Sequence, residues 1–326
     1  MLTASKPMEL LLQILLLYRN AGFSTVVLAG FFVVNRLSGR AFGLFDGLLL
    51  FVVVMPLIAA VVSTFGANIE FLITYHGVRR QWERVSALLP RYERTMSRAF
   101  GRPRGRLAAA KWRALMLAHT VSPEAGLAEL LPLGDDPEIP HPEWLRTLGA
   151  FHGELLQVGD ARETFRVLVE HEPDNAINWA TIVECDGIFF DDAASARRAL
   201  HAARACPNFG SLGPLTEYVD GIMLCVEGAY EDAIERLGPF REWTTQSFQR
   251  FPGALSLYAG ASTMLAVAYD GLGRTDEAVG VLSGMRKLLA EQQVAYLLEH
   301  AADALALRGL DHLLPVPGID RQPKPA

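Results

Sequence analysis

Eight histidines, three cysteines and paired acids such as two Asp-Asp steps are the residues that could do chemistry in this chain. A metal centre needs several imidazole, thiolate or carboxylate ligands converging on one point. The histidines form no HExxH, HxH or Cys/His cluster, and His141, His152 and His171 are not spaced to share one helical face. Cys185, Cys206 and Cys225 are odd in number and lie at no metal-ligand spacing, so they read as small core residues of a reduced compartment. Asp135-Asp136 and Asp191-Asp192 read as loop and helix-cap residues. The chain has no GxSxG elbow, P-loop or GxGxxG fingerprint following a strand, and Gly271-Leu272-Gly273 reads as a turn between helices. Arg19 and Asp46 interrupt apolar sequence, but they fall toward opposite ends of it, too far apart for an ion pair or proton relay. Neither catalysis, metal nor cofactor is expected.

The elements that carry these residues begin with two apolar runs, Ala21 to Val34 and Phe42 to Phe65, joined by Asn35-Arg36-Leu37-Ser38-Gly39-Arg40. The second contains LLLFVVVMPLIAAVVSTF and exceeds the ~20 residues that cross a hydrocarbon core. Two closely spaced runs do not make a cleavable signal peptide. Residues 1–75 therefore read as a retained two-helix transmembrane hairpin. Met8 to Tyr18 either lies along the interface or continues the first crossing, with Arg19 snorkelling to the headgroups. Pro56 reads as a kink.

Charge is distributed unevenly behind a formal net of −6. Residues 76–113 hold 11 Lys and Arg against Glu83 and Glu93, whereas the chain beyond them carries a net −16. The positive-inside rule then puts both termini and everything after Tyr75 in the cytoplasm, outvoting Arg36 and Arg40 of the hairpin loop. Gln81 to Phe100 has amphipathic helical spacing, with Trp82, Val85, Leu88, Leu89 and Tyr92 among arginines, and Pro90 limiting its regularity. Arg79, Arg80, Arg84, Arg91 and Arg94 are the candidate membrane-surface contacts, either binding anionic lipid or serving only as topology-setting charges. No nucleic acid is expected: Gly101 to Arg106 is basic, but no recognition motif accompanies it and the body beyond is acidic.

Beyond Leu107 the chain repeats. A 34-residue frame from Pro142 places Leu148-Gly149 in a first helix, Ala161 and Phe165 in a second, and Pro173 at the close. The next frame, from Ala176, places Trp179, then Ser195 and Ala199, then Pro207. Gly228 to Ile234 and Gly273 to Val279 each supply an inter-helix glycine, an acidic helix start and a small packing alanine, with Tyr269 ahead of the latter. Over Pro142 to Met285 the chain resembles the tetratricopeptide repeat (TPR) family, with weaker helical continuation to Leu314. The register stretches after Pro207 and across Pro239 to Ala254, so a Sel1-like solenoid is a second possibility. Gln292 to Leu307 reads as a terminal capping helix.

The fold expected is thus all-α: a transmembrane hairpin (1–75), a basic juxtamembrane helix and linker (76–106), a TPR-like α-solenoid (107–314) and a Pro-rich tail (315–326). The resemblance implies a concave surface that binds protein partners. Its groove positions map onto Glu143, Arg146, Glu154, Glu184, Tyr218 and Asp270, which suit a partner with a basic segment. Two crossings followed by repeats is also the layout of the HemY family, a similarity of architecture only, because no motif is shared. The function implied is a scaffold organising partner proteins at a bacterial-type inner membrane. The alternative is an accessory subunit of a larger membrane complex, with Gly22, Ala29, Gly30, Ala59 and Ala60 as close-packing surfaces.

Overall fold

The computed structural model describes residues 69–314, all helix, turn or coil with no strand. The hairpin and the Pro-rich tail lie outside the described residues, and no helix within them is long and apolar enough to cross a membrane. The all-α expectation holds. The helices are α1 (residues 69–78), α2 (Trp82–Phe100), α3 (Arg102–Thr120), α4 (Pro123–Leu130), α5 (His141–Glu154), α6 (Val158–His171), α7 (Ala176–Glu184), α8 (Ala193–Ala205), α9 (Leu215–Val226), α10 (Tyr230–Ser247), α11 (Ala254–Gly271), α12 (Thr275–Glu291) and α13 (Leu297–Ala306). They divide between two compact units, whose described parts are residues 69–73 with 88–106, and residues 74–87 with 107–314.

In the first unit, Leu89, Tyr92 and Met96 are buried at helical spacing along α2, while Arg91, Arg94 and Arg98 stay exposed. Pro90 sits inside the helix without ending it. Gly105 lies so close to Ser97 that a Cβ there would come within 2.1 Å of its hydroxyl, so the start of α3 abuts α2.

The second unit is built of antiparallel pairs: α5 with α6, α7 with α8, α9 with α10, and α11 with α12. The 34-residue frames fall on α5 and α7, and their small residues Ala161, Ser195 and Ala199 are buried where the second helix of each pair packs. The register stretches for visible reasons. A 3₁₀ turn, Phe209–Leu212, precedes α9, and α10 runs through Pro239 to Ser247 before α11 begins. The last helix is shorter than expected, because Gln293 at φ 61° ends α12 and α13 starts only at Leu297.

Each pair turns on one left-handed residue two positions before its second helix: Leu156, Asp191, Gly228 and Gly273. Three of these turns close in the same way. The N–H groups of Gln157, Ala229 and Arg274 donate to the carbonyls of His152, Leu224 and Tyr269 at 2.9–3.0 Å, the long bond of the Schellman motif. His152 Nδ1 and Gln157 Oε1, 2.7 Å apart, reinforce the first, and His76 with Gln81 repeats the device at the end of α1. A Cβ at Gly228 or Gly273 would meet nothing within 4 Å, so alanine there reports backbone strain alone. Gly228→Ala and Gly273→Ala should each cost about 1 kcal/mol in urea denaturation, the left-handed penalty less the entropy removed from the unfolded chain.

Candidate functional site

A cavity of about 300 Å³ opens inside the second unit. Its walls come from α5 (Gly149, Gly153, Glu154), α6 (Val158, Phe165), α7 and the turn after it (Thr181, Glu184, Ile188, Phe189), α11 (Gly260, Thr263) and α13 (Leu297, His300). The array therefore curls until its first pair faces its last helices across one small space.

Two sets of contacts tie the last helices to distant parts of the chain. Residues 74–87 meet the α12–α13 junction, where Arg79 donates to Gln292 Oε1 at 2.8 Å and Arg80 lies 3.7 Å over the Tyr296 ring. The second set involves a π-helical turn, Cys185–Phe189, that follows α7. Such a turn leaves carbonyls without partners from its own helix. Arg308 supplies them, donating to Gly187 O at 2.5 Å and Ile188 O at 2.8 Å, and it also reaches Asp191 at 2.8 Å.

Two carboxyl groups, of Glu154 and Glu184, line the cavity. Tyr218 Oη, buried in α9, donates to Glu184 Oε1 at 2.8 Å, and the Tyr218 ring stacks on Phe240 at 4.7 Å. Gly260 permits this, since a Cβ there would lie 2.2 Å from the hydroxyl. Glu184 lies deep in the protein yet keeps part of its surface open to the cavity. Burial raises its pKa, and the hydrogen bond from Tyr218 offsets this only in part.

His300 adds a second unusual group. Its Nε2 is out of reach of solvent and has no hydrogen-bond partner among the described residues. The ring makes edge contacts with Phe189 and Tyr296, each at 6.4 Å. Burial, aided by Arg80, lowers its pKa to about 4, so the ring is neutral near pH 7. A base whose folded pKa lies below its unfolded 6.5 contributes stability above 6.5 and loses it as pH falls toward about 4. Between about pH 7 and about pH 5 this one ring should account for a loss of about 2 kcal/mol. His300→Phe should remove that share of the acid limb in denaturation curves at the two pH values. Equal limbs in both proteins would rule the assignment out.

The groove candidates separate. Glu154, Glu184 and Tyr218, on the first helices of three successive pairs, gather at or against the cavity. The others lie apart from its lining. Arg146 is ion-paired with Glu172, Asp270 accepts from Thr275 Oγ1 at 3.0 Å, and Glu143 lies in the first turn of α5. Of the basic candidates, Arg79 and Arg80 are engaged within the second unit. Arg91 is exposed, Arg94 donates to Pro90 O at 3.2 Å, and Arg84 lies on the exposed face of α2.

All three cysteines are free and buried, and burial pushes the thiols of Cys185 and Cys225 up to about 12, which leaves them poor nucleophiles. His141 and His171 do come together, ring to ring at 5.3 Å, because antiparallel pairing sets the start of α5 beside the end of α6. No metal-ligand cluster occurs among the described residues. Sequence reasoning missed His300 and Arg308, whose contacts with the α7 turn span more than a hundred residues and follow no repeat register. Comparison with known proteins returns no matching family model, no similar curated protein and no similar solved structure.

Proposed function

We propose that this chain is a membrane-anchored, TPR-like scaffold that binds and organises protein partners at the cytoplasmic face of a bacterial-type inner membrane, without chemistry of its own. The observation that supports the reading most is the arrangement of Glu154, Glu184 and Tyr218. They come from the first helices of consecutive pairs; Glu154 and Glu184 line one cavity, and Tyr218, buried behind it, donates to Glu184. An acidic inner face suits a basic partner segment. The apolar run Phe42 to Phe65 supports the anchor, which would raise the partner's effective concentration at the bilayer. The small residues Gly22, Ala29, Gly30, Ala59 and Ala60 in the apolar runs favour a second reading, an accessory subunit whose hairpin packs against other membrane helices.

The test is affinity purification in mild detergent followed by mass spectrometry, with the whole chain beside one lacking residues 1–65. The shortened chain keeps residues 74–87, which belong to the same unit as the repeats. Partners retained by both would support the scaffold. Partners seen only with the whole chain would favour the subunit reading. Reproducible absence of partners from both would overturn both readings.

A further inference from the structure

We propose that the cavity of the second unit is a binding site for a small organic ammonium ion, with the ammonium group on Glu184 and the hydrocarbon body between α5, α6 and α13. This goes beyond the scaffold reading and does not depend on it.

The hydrogen-bonding groups that face the cavity are mostly acceptors whose own protons are already used. Tyr218 spends its hydroxyl proton on Glu184 Oε1, which leaves the second carboxylate oxygen without that partner. Thr263 donates to Ala259 O at 2.8 Å and Thr181 to Ile177 O at 3.0 Å, so each hydroxyl has only lone pairs left to offer. His300 also lines the cavity as a neutral ring, but its orphaned Nε2 is closed to solvent and adds no acceptor there. No lysine or arginine lines the cavity among the described residues, whereas two glutamates, Glu154 and Glu184, do.

A buried acceptor without a donor is costly, and a buried carboxylate without a countercharge more so. An anionic ligand would be repelled, and a purely apolar one would leave these groups unsatisfied. An ammonium ion brings several N–H donors and a charge that favours the ionised form of Glu184 against the burial that raises its pKa. Phe165, Val158, Ile188, Phe189 and Leu297 supply apolar wall for its body. About 300 Å³ lies at the small end of ligand pockets, which span roughly 300–1,000 Å³, so the ligand is compact.

The experiment is isothermal titration calorimetry on the full-length protein in mild detergent, at about pH 8, where an alkyl ammonium is still charged. Benzylammonium is the probe, with benzyl alcohol and benzoate as its neutral and anionic counterparts. The expected result is saturable binding of one benzylammonium per chain, binding of the alcohol weaker by at least about tenfold, and no heat from benzoate. Glu184→Gln should weaken benzylammonium by about tenfold or more and leave the alcohol unchanged.

Gly153→Leu is the second variant, because a Cβ at this cavity-lining position meets nothing within 4 Å, so the larger side chain fills the space without a clash at its first atom. It should abolish binding of both amine and alcohol while the protein stays folded by circular dichroism. A lysine side chain offers the same ammonium, so Nα-acetyl-lysine methylamide is titrated in parallel. Binding of benzylammonium alone would identify a free amine as the ligand, and binding of both would identify a side chain of a partner protein; either supports ammonium recognition. Equal affinity for amine and alcohol, wild-type affinity in Glu184→Gln or in Gly153→Leu, or no saturable binding by either amine would overturn the proposal.

Discussion

Arg308→Ala should lower the unfolding free energy by about 3–5 kcal/mol, a large loss for one side chain beyond the last helix. The Arg308 side chain is only 9% exposed, and its guanidinium donates to Gly187 O, Ile188 O and Ala304 O as well as to Asp191. Hydrogen bonds from a charged donor contribute about 1.5–3 kcal/mol each, and removal of the donor leaves the carbonyls of the π-helical turn buried and unpaired. The Asp191 carboxylate is 52% exposed, so its ion pair should add no more than about 1 kcal/mol. Asp191→Asn is the clean comparison, because asparagine tolerates the left-handed backbone at φ 51°. Arg308→Lys should recover less than half of the loss, since an ammonium cannot reproduce the guanidinium fork across two successive carbonyls. Urea denaturation at constant m-value measures all three. If Arg308→Ala costs under about 1 kcal/mol, or Asp191→Asn costs as much as Arg308→Ala, the carbonyl account fails.

The clasp made by Arg308 also marks where sequence reading stops. Helix pairs were legible because their determinants are local. Small residues Ala161 and Ala199 recur at the packing positions, and Gly228 and Gly273 announce their turns. Leu156 and Asp191 take the left-handed turn position without glycine, so composition gave no sign of them. Nothing in the residues Cys185-Asp186-Gly187-Ile188-Phe189 distinguishes a π-helical turn from continued α-helix. That conformation is settled by distant partners, Arg308 on the carbonyls and Ile222 packed where a Gly187 Cβ would lie. The cavity was only partly legible for the same reason. Repeat positions found Glu154, Glu184 and Tyr218, but the curl that sets α5 across from α13 decides that Asp270 and Arg146 lie away from the cavity and that His300 lines it. Arg79 and Arg80 read as membrane-surface candidates because their basic run lies next to an apolar one, and no local signal marks their contacts within the fold. Their docking onto Gln292 and Tyr296 depends on contacts more than two hundred residues away.

The same turn supports the second large effect. Asp186, the turn's second residue, is wholly buried and ion-paired with Arg162 of α6, whose guanidinium also reaches Asp192 at 3.0 Å and lies 4.4 Å from the Phe190 ring centroid. Removing one member of such a pair strands the other charge, which costs about 3–5 kcal/mol, whereas replacing both with apolar groups of similar volume can be nearly neutral. Arg162→Met alone should therefore cost about 3–5 kcal/mol. Arg166 already stands 3.9 Å from Asp186, but it is 40% exposed, so its contact should recover only a small part of the loss. Adding Asp186→Leu should restore most of the loss, so that the double variant lies within about 2 kcal/mol of the parent. The remaining deficit would belong to Arg162's contacts with Asp192, which caps α8 by accepting from Ser195 N at 3.0 Å, and with Phe190. A double-mutant cycle in urea gives the coupling directly, and simple additivity would show that the buried charges do not depend on one another. Strong coupling has a consequence for the cavity. Glu184 immediately precedes this turn and Ile188 and Phe189 belong to it, so Arg162→Met should loosen the cavity wall even though Arg162 does not line it.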